Sequence, residues 1–77
     1  MNLTELPTMT VLRAVVRQPV EATLFEVWQD CQEVGSSVTV QVFLNRLRDG
    51  GFVDEVVSIT DRESLWCATE KGKRALL

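Results

Sequence analysis

The stretch "FLNRLRDGGFV", residues 43–53, limits what this chain can become more than any other. Phe43, Leu44 and Leu47 recur at the spacing of one helical face, and Gly50-Gly51 then removes the side chains that would continue the helix. Phe52 and Val53 open a run, "FVDEVVSI", rich in the β-branched and aromatic residues that suit strands. A helix must therefore end abruptly and turn straight into an extended segment. With 77 residues the chain makes one domain, 1–77. A domain this small buries only about 60% of its unfolded surface, so one such corner organises much of its core.

The other elements follow from punctuation. Thr8 can cap a first helix over about 9–17, where Met9, Leu12, Val15 and Val16 share a face. Pro7 precedes it, Gln18-Pro19 closes it, and Arg17 suits the negative end of its dipole. Thr23 and Glu26 have the spacing of a capping box for a second helix over about 23–34. Leu24, Val27, Trp28 and Cys31 form its apolar stripe, and Gly35 stops it. Ser36 or Ser37 caps a third helix over about 37–49, close enough to the second for a helix-turn-helix. A hairpin over about 52–68 follows, its tip formed by "TDRE" at 60–63. Thr69 opens a last helix over about 69–77, which Gly72 weakens by ~1 kcal/mol relative to alanine. Three helices, a two-stranded wing and a short C-terminal helix make an α+β winged helix-turn-helix.

Several function classes drop out. The sequence has no histidine and two cysteines, Cys31 and Cys67, at no zinc-ligand spacing. Both cysteines sit among apolar neighbours and read as small buried hydrophobes. Without histidine there is no Ser-His-Asp or Cys-His pairing, and Gly50-Gly51 alone is no phosphate loop. No enzyme, metal site or cofactor is expected. Lacking both a membrane-length apolar run and a signal-like N-terminus, the chain is expected in the cytoplasm.

"FLNRLRDGGFV", the hairpin and "ATEKGKRALL" together resemble winged-helix transcription regulators of the MarR and PadR kind, over about residues 9–77. The resemblance implies a repressor or activator that binds double-stranded DNA, with its third helix in the major groove and its wing on the neighbouring backbone or minor groove. Such regulators dimerise through long helices outside this core. None follows here, so a homodimer is expected to use the first helix, the last helix or a sheet edge.

Projected at 100° per residue, the third helix turns Val40, Phe43, Leu44 and Leu47 inward, and Val38, Gln41, Val42 and Asn45 outward. Gln41 and Asn45 are amides able to pair with adenine edges, and Val38 and Val42 are apolar groups able to meet thymine methyls. Arg46 and Arg48 flank them, suited to phosphate or guanine. The expected DNA-binding set is Thr39, Gln41, Val42, Asn45, Arg46, Arg48, Arg62 at the wing tip, Lys71, Lys73 and Arg74. The protein is nevertheless acidic, with a net charge of −3 and a pI near 4.8. Its excess acid lies before residue 38, with basic and acidic side chains balanced beyond it. Asp61 and Glu63 flank Arg62 and would blunt the wing's approach to phosphate. With about three or four usable cations per protomer, useful affinity would need a dimer on a palindromic site. The competing expectation is a protein-interaction module, an adaptor or mobile-element-encoded inhibitor. It would use the Val38/Val42 face, the acidic second helix (Glu26, Asp30, Glu33) and Phe25.

Overall fold

The corner after residue 49 is built as its glycines demand. In a computed structural model describing residues 6–60 and 62–77, the helix Ser37–Asp49 ends in two interlocked hydrogen bonds. Gly51 N donates to Arg48 O at 3.0 Å and Phe52 N to Leu47 O at 2.9 Å, which together satisfy carbonyls the helix end would leave open. Gly51 has φ +82°, in the left-handed region where a side chain would be strained. The strand Val53–Val57 starts two residues later.

The full order is α1 (Leu6–Arg17), β1 (Ala22–Thr23), α2 (Leu24–Gln29), a 3-10 turn (Gln32–Val34), α3 (Ser37–Asp49), β2 (Val53–Val57), β3 (Ser64–Ala68) and α4 (Glu70–Ala75). Residues 1–5 lie outside the described residues, as does Asp61, the expected acidic neighbour of Arg62. The strands form one antiparallel sheet in the order β1-β3-β2. Trp66, in the central strand, pairs with Ala22 on one side and Glu55 on the other. The helices pack on the face carrying Val53 and Trp66, both fully buried with Val11, Leu12, Val15, Val27, Cys31, Val40, Leu44 and Leu47. The fold is the expected winged helix, with one strand added.

Four local expectations need correction. First, α1 begins at Leu6, so Thr8 is a buried residue inside the helix and not its cap. Pro7 sits within the first turn, where its missing N–H costs nothing. Second, α2 is not continuous to residue 34. Its capping box forms, with Glu26 N donating to Thr23 Oγ1 at 3.1 Å and Thr23 N to Glu26 Oε1 at 3.0 Å. The helix then ends at Gln29, because Asp30 is held from α1: its carbonyl accepts from Arg17 Nη2 at 3.2 Å and its carboxylate from Gln18 Nε2 at 2.6 Å. Third, β1 is a strand of two residues, too short for any alternation to reveal. Fourth, Gly72 is a requirement of α4 more than a weakness. A Cβ there would stand 2.1 Å from the Phe52 carbonyl oxygen. Only glycine lets α4 lie this close to the start of the wing.

Candidate nucleic-acid interface

The front of α3 follows from which of its residues the core takes. Val40, Leu44 and Leu47 are fully buried, and Phe43 is half-buried against them. Val38 and Val42 face outward, 72% and 44% exposed, large values for valines that the fold itself does not need there. Between them Gln41 Nε2 donates to Asn45 Oδ1 at 2.9 Å, linking the two amides along one side of the helix. Thr39 is turned to the helix start: its backbone N–H donates to Ser36 Oγ at 3.4 Å, and its side chain packs on Gly35. Trp28 Nε1 donates to the Gly35 carbonyl at 2.8 Å, fixing the turn that delivers α3. Phe25, 58% exposed, lies against the Trp28 ring at a centroid separation of 5.5 Å.

The six cations of the C-terminal half differ in how far their own chain engages them. Arg48 forms an ion pair with Glu55 on β2 and lies 3.6 Å from Asp49. Glu55 also accepts from the Ser64 hydroxyl on β3 at 2.5 Å. It can do so because Glu55 lies on the sheet face that Val53 and Trp66 bury, diagonal to Ser64 across the ladder. The Ser64 bond, helped by Arg48, holds the Glu55 carboxyl below the usual glutamate range against the opposing effect of burial. The guanidinium of Arg48 is correspondingly raised, chiefly by its bond to Glu55. Lys71 donates to the Gly50 carbonyl at 2.7 Å and sits 4.5 Å over the Phe52 ring. Arg46 lies 5.7 Å over Phe43 with its head group in solvent. Arg46, Arg62 and Arg74 are exposed and form no ion pair among the described residues.

Arg62 sits at the wing tip with φ +59°, a conformation few non-glycine residues adopt. The tip is closed by Ser58 N donating to Glu63 O and Arg62 N to Ser58 O, both at 2.9 Å. Its most exposed apolar group is Ile59, at 97%. Lys73 stands apart from all of these. It rims an open groove of about 430 Å³ between the end of α1, the approach to β1, and β3, facing Glu21 and Val20; no α3 residue lines it. Cys67 lies on that groove, half-buried, its thiol raised mainly by burial. The Cys31 thiol is buried in the core and pushed up to about 11, by burial first and then by Glu33 and Asp30. Neither is activated as a nucleophile. Among the described residues no acidic and cysteine cluster could hold a metal, and no helix is long and apolar enough to cross a membrane.

Glu55 and Ser64 were not among the sequence-derived site residues, although both decide what Arg48 can touch. Opposite charges seven residues apart across a glycine corner were the available signal.

No known protein family matches the sequence, and no curated protein does. The fold does match solved structures. The transcriptional regulator SlyA superposes with a TM-score of 0.76 at 21% identity, over 96% of this chain and 50% of SlyA. TubR bound to 24 bp of tubC from Bacillus thuringiensis gives 0.75 at 18%, over 99% of this chain and 89% of TubR. The Vibrio cholerae ferric uptake regulator gives 0.70 at 21%, over 86% and 53%. The chain thus spans about half the length of SlyA and of the ferric uptake regulator. Fold and comparison together define a winged-helix domain, the architecture these regulators share.

Proposed function

We propose that this protein is a DNA-binding regulator of transcription that lays α3 in the major groove and rests its wing on the adjacent backbone. The observation that carries the proposal is the front of α3. Val38 and Val42 are exposed and Gln41 and Asn45 half-buried beside them, on a helix whose opposite side is committed to the core. The solved winged helices it superposes on add support, one of them bound to a DNA duplex. In this reading Gln41, Val42 and Asn45 meet base edges. Arg46, Arg62 and Arg74 meet phosphates. Thr39, Arg48 and Lys71 act one step back, since each is engaged by its own chain and sets the pose of α3 or the wing. Lys73 rims the groove by Glu21 and Cys67, which no α3 residue lines, and is given no part in this contact.

Three free cations give a weak footprint. They predict a slope of log affinity against log salt of about −3 for one protomer and about −5 for two on one site. Titration of labelled duplex DNA at low and physiological salt, with sedimentation of the same samples, reads both the slope and the stoichiometry. Arg46→Ala is expected to weaken binding and make the slope shallower by about one per protomer. Absence of binding to any duplex at low salt would overturn the proposal and turn attention to protein partners of the Val38/Val42 face.

A further inference from the structure

We infer that the duplex α3 reads is A·T-rich, with Val38 and Val42 seated on thymine methyls and the Gln41–Asn45 pair on an adjacent adenine; this rests on the DNA reading above. Each base shows a distinct edge in the major groove. Guanine offers two acceptors, N7 and O6, and is best met by two donors on one group, as in arginine. Cytosine offers a donor and is met by a carboxylate. Adenine offers one acceptor and one donor side by side, and thymine an acceptor with a methyl group.

The centre of the α3 front holds partners for adenine and thymine, and the guanidiniums that could meet guanine lie at its flanks. The guanidinium two turns beyond Gln41 on the same side, that of Arg48, is taken by Glu55, which is itself anchored by Ser64. Arg46, over Phe43 and one turn beyond Val42, is assigned to phosphate in the reading above. The helix carries one acid, Asp49, at its very end and beside Arg48. What remains is two amides and two valines. The bond from Gln41 to Asn45 leaves one amide N–H₂ and one amide carbonyl free, and the same count holds if the direction of that bond is reversed. One donor next to one acceptor complements the adenine edge and mismatches the two acceptors of guanine. Val38 and Val42 are one helical turn apart, so each can meet a different base pair, and both are exposed, Val38 the more so.

The test uses the full chain and duplexes selected from a random pool, with thymidine then replaced by deoxyuridine, which deletes the methyl and keeps base pairing. Selected duplexes should be enriched in A·T pairs. Deoxyuridine should weaken binding of the natural protein by about fourfold for each methyl lost. A variant carrying Val38→Ala and Val42→Ala, which touches no buried residue and should fold normally, should bind both duplexes with nearly equal affinity. Selected sites dominated by G·C pairs, or wild-type affinity indifferent to deoxyuridine, would overturn the inference while leaving the protein a DNA binder. Deoxyuridine sensitivity that persists in the double variant would overturn the assignment of the methyls to these valines. A pool from which no duplex is retained would instead remove the DNA reading on which the inference stands.

Discussion

The two ends of α3 are made on opposite terms. At its C-terminal end the backbone groups that close the helix are used by the protein itself. The Thr69 hydroxyl donates to the Gly51 carbonyl at 2.6 Å and accepts from Gly72 N at 3.1 Å, Lys71 holds Gly50, and Gly72 admits the Phe52 carbonyl. Along its front, Val38 is largely and Val42 partly exposed, and among the described residues the Gln41 and Asn45 amides bond to each other. The first region explains why "FLNRLRDGGFV" and "ATEKGKRALL" look so characteristic: they fasten helix, wing and last helix into one joint. The proposed recognition chemistry sits on the second, where the core makes no demand. A motif that is distinctive for structural reasons therefore identifies a scaffold and says little about its ligand.

Perturbations should separate the two regions by size. Leu44→Ala, in the core beneath both, is expected to cost about 2–5 kcal/mol and to leave much of the protein unfolded in thermal or urea melts. Gly72→Ala should rank next, at the top of the about 1–3 kcal/mol range for overpacking, because its clash is with backbone and not with a side chain that can swing aside. If its melting temperature matched wild type, the joint would be looser than described. Thr69→Ala should cost about 0.5–2 kcal/mol by removing the α4 cap. Val42→Ala, by contrast, should change stability by less than about 0.5 kcal/mol while weakening DNA binding. A front-face variant that unfolded the domain would erase the distinction. The smallest effect concerns pH. The Glu55 carboxyl titrates below the ordinary glutamate range in the folded protein, so its contribution is present above that range and is lost as pH falls through the lower folded value. Amide exchange of the wing should accelerate there before the core opens, and Glu55→Gln should remove that step.

The difference between the regions also explains what could be read from the sequence. The α3 boundaries, the glycine corner and the capping box were legible because each rests on local backbone chemistry that a few neighbouring residues determine. The early end of α2 was not, since it depends on Arg17 and Gln18 reaching across from α1 to Asp30. The freedom of the cations in the expected DNA-binding set met the same difficulty. Arg48 and Lys71 look free along the chain, and only the tertiary fold sets Glu55 beside one and the Gly50 carbonyl above the other. Lys73, two residues from Lys71, ends on a different surface because successive helical residues diverge by 100°. Short-range chemistry was visible; pairing between distant segments was not.

The placement of the tryptophans has a spectroscopic consequence. Trp66 is fully buried in the central strand, and its indole N–H has no partner among the described residues. Its emission should be blue-shifted and should change only when the core opens. Trp28 is half-buried, stacked near Phe25 and bonded to the carbonyl of the turn that leads into α3. Its emission should respond to whatever docks against that turn while the domain stays folded. The protein thus carries two built-in optical probes of separate events, one for unfolding and one for engagement.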